Sequence, residues 1–435
     1  MPPLMQQILR LRGELLWVLA GHAAAFLGGL VGIKLLTRQL GASEYGHLAL
    51  GLTIAGFLTT FLHNPLSNAA ARFYAPYRDC GKENLYFFVL RSLHTKLLLL
   101  LILPVMVGSL LVYMAKGSVW GGLVLWGLVF GMISGVGVSF LAWQNAARDR
   151  RNATLAQIGD VWLRIGCAIF AAIFWGSGSA ALGGYCVGSF LVVLWQYRMF
   201  RGQQQQQSRV AVVPQEEQVS QAQHEFVTFV LPFVGYALFT VVTLYADRWV
   251  LQLAAGTASV GIYAALFQIA ASPVNLLFAI INQLMVPIIY ERAGTMTSSA
   301  QRLEVRRLIM RIMLFAVICS GTGTVLTALL GRPVALLLTT TEFTRHSDLL
   351  WMLVLGLSLW QVGQLMALVG ICANRPGIYL WPKAIHAFVL LGVGGYLVVS
   401  YGVNGMAAAL IIASVAYLVA VGVVNFRLER LLRIN

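Results

Sequence analysis

Stretches of roughly 20 apolar residues follow one another along almost the whole of this chain, and that is the length at which an α-helix crosses about 30 Å of hydrocarbon. About twelve such spans can be placed. In the first half they run over 15–37, 44–64, 92–114, 119–142, 155–175 and 178–199. In the second half they run over 226–251, 258–288, 308–330, 349–372, 377–400 and 403–426. Charged residues make up only 10% of the chain, against about 25% in soluble domains. The expected fold class is an all-α polytopic membrane protein, nearly all of it embedded in the bilayer, with no soluble catalytic domain.

A pattern recurs 215 positions apart. Gly41, Gly46, Ala49, Ile54, Ala55 and Arg91 match Gly256, Gly261, Ala264, Ile269, Ala270 and Arg306, and Lys96 matches Arg311. The offset is close to half of the 435 residues. Two similar halves in an apolar chain point to a transporter built from repeats around a central path. The expected division is an N-terminal lobe over 1–200 with spans one to six, a cytoplasmic linker over 201–224, and a C-terminal lobe over 225–435 with spans seven to twelve. The linker carries five consecutive glutamines, Gln203 to Gln207, then Pro214, Glu216 and Glu217, which reads as a polar tether.

Orientation follows from lysine and arginine. With the N-terminus inside, twenty of the thirty bases fall in cytoplasmic segments and four, Arg38, Lys116, Arg332 and Arg345, on the opposite side. Both termini are therefore expected in the cytoplasm. The formal net charge of +15 then orients the protein and meets anionic headgroups. A nucleic-acid partner would need a soluble basic surface, and the sequence offers none. Arg10 and Arg12 precede an apolar run with Ala23-Ala24-Ala25, but the run continues to Leu36, so it reads as a retained span and not a cleaved signal. The five cysteines, Cys80, Cys167, Cys186, Cys319 and Cys372, stand singly and read as small packing residues.

A charge inside a span costs about 2.5–3.5 kcal/mol on insertion scales, so each needs a reason. The in-span bases are Lys34, Lys96, Arg164, Arg248, Arg311 and Lys383; the acids are Asp160 and Asp247; His22 lies mid-span in the first helix. Lys96 and Arg311, equivalent in the repeat, suit a cationic rim at a cytoplasmic entrance or snorkel to headgroups. Asp160 and Arg164 have the i, i+4 spacing of a helix ion pair. Lys383 and His386 share a helix face after Pro382 without an acidic neighbour in sequence. Subtracting 215 from Arg248 gives position 33, beside Lys34, so these two cations could face an anion from opposite lobes. Asp247 and Arg248 point about 100° apart on a helix and need not pair with each other. Asp247 and Asp160 are candidates for coupling to a proton or sodium ion. No metal or organic cofactor is indicated. Pro104, Pro232, Pro273 and Pro287 suit helices that bend.

The stretch from Leu35 to Gly46, Leu-Leu-Thr-Arg-Gln-Leu-Gly-Ala-Ser-Glu-Tyr-Gly, resembles the first-loop signature of the polysaccharide transporter family, part of the multidrug/oligosaccharidyl-lipid/polysaccharide (MOP) exporter superfamily. Tyr245-Ala246-Asp247-Arg248-Trp249, followed by Gly256 and Val260 to Ala264, is similar to its span-seven signature, and Arg72-Phe73-Tyr74 fits as well. The resemblance implies twelve spans in two six-helix lobes in a bacterial inner membrane. It implies a flippase, not an enzyme, for undecaprenyl-pyrophosphate-linked oligosaccharide such as an O-antigen or capsule repeat unit. The glycan would pass through a cation-lined cavity while the lipid tail stays in the bilayer, with Lys34, Arg248, Lys383, Arg164 and His22 as candidate ligands. Partners would be the lipid-linked oligosaccharide, membrane lipids, and a polysaccharide polymerase with its chain-length machinery. A multidrug exporter of the same superfamily is disfavoured by the surplus of bases. A peptidoglycan-precursor flippase usually has two more spans. A membrane glycan polymerase or ligase would need a large external loop, whereas spans five and six are joined by little more than Gly176-Ser177-Gly178.

Overall fold

A computed structural model describes residues 3–207, 215–293, 299–373 and 375–434. The described residues are helical almost throughout and include no strand. The helices are α1 (Pro3–Leu58), α2 (Asn64–Asp79), α3 (Glu83–Lys116), α4 (Ser118–Ala146), α5 (Arg150–Trp175), α6 (Gly178–Gln207), α7 (Glu216–Ala255), α8 (Thr257–Ala293), α9 (Ser299–Leu338), α10 (Thr341–Thr344), α11 (Leu349–Cys372) and α12 (Leu380–Ile434). Ten helical runs among the described residues are long and apolar enough to cross a membrane. Two of them are double length. The run Leu16–Asp79 is broken at Gly41 (φ 69°, ψ 179°), and Gly377–Leu428 is broken at Gly402 (φ 55°, ψ −131°). Dividing these two at their glycines gives the twelve spans expected from hydropathy. Positive φ strains any side chain with a Cβ, which is why glycine holds both breaks.

The repeat is visible in this backbone. Gly256, the counterpart of Gly41, also has positive φ, at 81°, and separates α7 from α8. The chain bends at the same repeat position in each half. After the Gly41 break, the backbone N–H of Ala42 donates to the Glu342 carboxylate of α10 at 3.2 Å. An anion placed at the new helix start satisfies an otherwise orphaned donor.

α1 continues into α2 through one π-helical turn, Thr59–His63, where the Asn64 N–H reaches back to the Thr59 carbonyl. Pro65 follows directly and has no N–H to continue the regular ladder. Such a turn inserts an extra residue and re-aims the side chains around it.

The chain divides into two compact units. The first holds Met1–Gly32 and His47–Val241; the second holds Ile33–Gly46 and Val242–Asn435. Both α1 and α7 contribute to each unit, so the division follows packing and not chain order. In the first unit α3 and α6 pack along α4, and α5 along α6. The start of α7 is held there by an aromatic cluster: Phe226 is fully buried, stacks on Phe73 at 4.5 Å between ring centres, and meets Tyr77 and Tyr86. In the second unit α11 packs with α8, α9 and α12. Within the segment 201–224, helix α6 covers residues up to 207 and α7 begins at 216; residues 208–214 lie outside the described residues.

Candidate functional site

In the second unit, Asp247 and Arg248 form an ion pair at 3.0 Å, with side chains 4% and 13% exposed. The 100° step between helix neighbours does not by itself bring them together. They meet because the Asp247 carboxylate folds forward to accept the Arg248 backbone N–H at 2.8 Å, which brings it within reach of Nη1. Nη1 also donates to the Leu244 carbonyl, and the guanidinium lies over the Phe267 ring at 4.7 Å. The planar group carries further N–H donors that could serve an anion. Fully buried Tyr263 stands beside both charges. Lys34 belongs to the same unit but is exposed, so the two cations found by the 215 offset have different surroundings.

His386 is 1% exposed, and among the described residues neither ring nitrogen has a hydrogen-bond partner. Its ring centre lies 4.3 Å from that of Trp360 on α11 and 6.1 Å from that of Tyr417 on α12. Lys383, one turn away, is half-buried. A buried imidazole with open nitrogens next to a lysine is a polar spot in an apolar bundle, able to donate one ring N–H and accept at the other nitrogen. Arg311 lies exposed on α9.

In the first unit the i, i+4 pair forms as its spacing indicated. Arg164 meets Asp160 at 3.0 Å, and Ser189 on α6 donates to the same carboxylate at 2.7 Å. Arg164 lies 5.7 Å from the Phe130 ring centre and 5.9 Å from that of Tyr185. Lys96 is exposed and donates to Gln223 of α7 at 2.9 Å, and Gln223 donates to Ser92. The Lys96 ammonium thus ties α3 to α7. His22 is half-buried in α1.

One polar cluster escaped the count of in-span charges. His63, fully buried and with neither ring nitrogen partnered among the described residues, ends the π turn 6.1 Å from His94 of α3. Nδ1 of His94 is 2.9 Å from the Leu90 carbonyl, and Nε2 is 2.9 Å from Ser139 Oγ on α4. His63 sits at the edge of the second apolar run, so it did not register as mid-span. The available signal was Pro65, which marks a disturbed helix two residues later. Among the described residues no group of His, Cys, Asp and Glu could hold a metal ion.

The fold is shared with known transporters. The structure of the lipid II flippase MurJ in an inward closed conformation superposes with a TM-score of 0.65 at 13% identity, over 94% of this chain and 86% of that chain. An inward-facing multidrug resistance MATE family transporter of the MOP superfamily gives 0.61 at 14% identity, over 96% and 95%. A MOP superfamily transporter from Pyrococcus furiosus gives 0.56 at 15% identity, over 95% of each chain. No curated protein matches this sequence. A sequence model described as polysaccharide biosynthesis protein matches residues 11–292, well over half of the chain. By that match, together with the MOP-exporter fold, this multi-pass membrane protein belongs to the polysaccharide biosynthesis protein family.

Proposed function

We propose that the protein is a flippase that carries an undecaprenyl-pyrophosphate-linked oligosaccharide, an O-antigen or capsular repeat unit, from the inner to the outer leaflet of a bacterial inner membrane. The observation that carries this reading is the family match over residues 11–292 on a fold shared with a lipid II flippase. The in-span arginines support it, since a pyrophosphate calls for fixed cations and arginine offers two parallel N–H donors. Arg248, Lys383, Arg164 and Lys34 are the bases proposed to meet it, with His22 nearer the glycan. Asp247 and Asp160 sit in ion pairs with two of those arginines. Arrival of an anion would therefore compete with a carboxylate, and this links the proposed cargo to a proton or sodium ion. Lys96 and Arg311 belong to the proposed entrance on the cytoplasmic side, where both termini also lie. A polymerase and chain-length machinery would take over the product outside.

The test is deletion of the gene with complementation. Loss of the surface polymer, with lipid-linked repeat units accumulating inside, is the expected result. Loss of polymer without that accumulation places the defect in synthesis. Unchanged polymer with raised drug sensitivity would replace the reading with multidrug export.

A further inference from the structure

On the first unit, α3 and α6 both pack along α4 and, among the described residues, keep their backbones apart from each other. The gap is a groove of about 350 Å³ with α4 as its floor. Its size falls within the range of small-ligand pockets, about 300–1,000 Å³. One end is closed by aromatic rings: Phe87 of α3 meets Phe200 of α6 at 4.7 Å between centres, and Trp143 of α4 lies 5.2 Å from Phe200. Along its length the walls are aliphatic, as at Leu98 and Leu194.

Two features select the occupant. Most of the lining is apolar; of its polar side chains, His94 and Ser139 are bonded to each other and His94 also meets the Leu90 carbonyl, which leaves the hydroxyls of Thr95 and Tyr197. The groove therefore suits hydrocarbon and offers few partners for the many hydroxyls of a sugar. The aromatic end is also basic. Arg91 lines it and is exposed, and Arg201 lies over the lining Tyr197 at 5.2 Å from the ring centre. A single chain with a phosphate at one end matches this layout: a channel between two helices takes one hydrocarbon tail, and the two arginines meet the anionic head.

We propose that this groove seats the tail of a phosphate-headed polyprenyl lipid. The inference rests on the reading of the cargo as lipid-linked, and adds where the tail is held. A lipid gripped at its own groove would keep its phosphate near the first unit while the glycan moves.

The test uses the full-length protein in phosphatidylcholine nanodiscs with a photoreactive polyprenyl phosphate. Label is expected on peptides of α3, α4 and α6. Unlabelled polyprenyl phosphate should displace it, and equal phosphatidylglycerol should not. Leu194→Trp, which fills the groove, should remove most of the label. Arg91→Gln and Arg201→Gln together should lower it severalfold. If Leu194→Trp fails to fold, Leu98→Cys in a cysteine-free background, blocked after folding with a bulky maleimide, makes the same demand. Equal displacement by phosphatidylglycerol would reduce the groove to a general lipid contact and overturn the proposal. So would label elsewhere, or full label in the filled groove. Binding is read without transport. A failed groove alongside polymer loss on gene deletion leaves the flippase reading standing, whereas a labelled groove in a strain with unchanged polymer removes that reading alone.

Discussion

At Asp247 and Arg248, removing one charge and removing both have opposite consequences. Breaking a buried pair leaves its partner uncompensated and costs about 3–5 kcal/mol, whereas neutral replacement of both is often tolerated. Arg248→Gln alone should therefore lower the thermal midpoint in detergent clearly, and Asp247→Asn with Arg248→Gln should recover most of it. If Arg248 also meets a pyrophosphate, the double variant will be stable yet fail to restore surface polymer. Full complementation by that variant would make the pair purely structural. Lys34 is exposed, so Lys34→Gln should leave stability unchanged and report its charge in transport alone. At this scale, legibility depended on how directly sequence spacing fixes distance. The four-residue step from Asp160 to Arg164 places two side chains on one helix face, and they pair. The Asp247 to Arg248 pairing depends on a carboxylate bonding to its neighbour's backbone N–H, which helical periodicity does not encode. His63 and His94 lie 31 positions apart, and their meeting depends on a π turn and on Gly135, where a Cβ would overlap the His63 ring.

Among the helices, the 215-residue repeat becomes a reciprocal contact. A Cβ on Gly46 would overlap the Thr257 carbonyl, and a Cβ on Gly261 would overlap the Ala42 carbonyl. Thr257 is the repeat counterpart of Ala42, and Gly261 that of Gly46. Each half thus presents the same glycine to the same backbone position of the other. Close backbone approach through small residues is how helices gain packing energy in lipid, where burial of apolar surface adds little. Gly46→Ala and Gly261→Ala should each destabilise by about 1–3 kcal/mol through overpacking. The two losses should be similar, and the midpoint in detergent measures both. Gly166→Ala, with open space around it, should be neutral or slightly stabilising. Hydropathy placed the spans well but not the helix ends. The apolar runs begin at 92 for span three and at 226 for span seven, while α3 starts at Glu83 and α7 at Glu216. Apolar runs mark the length immersed in hydrocarbon; the helices continue into polar sequence because tertiary contacts, such as Phe226 on Phe73 and Gln223 with Lys96, hold them there.

For the molecule as a whole, the distribution of basic residues remains the strongest statement about orientation, since no helix has an intrinsic direction in a bilayer. Twenty bases against four would have to be reversed to invert the protein. The helix ends sharpen the test. Ser177 lies in the two-residue connection between α5 and α6, and Ser220 is exposed near the start of α7. The two positions fall on opposite sides in any arrangement where α6 and α7 each cross once, so one experiment reads both. In a variant lacking the five native cysteines, Ser177→Cys should react with an impermeant maleimide in intact spheroplasts. Ser220→Cys should react only after lysis. The reverse pattern would invert the topology and place Lys96 and Arg311 on the outer side, removing them from a cytoplasmic entrance. It would also move Arg91 and Arg201 to the outer leaflet, so a groove that binds a phosphate-headed tail would then receive the lipid after translocation and not before.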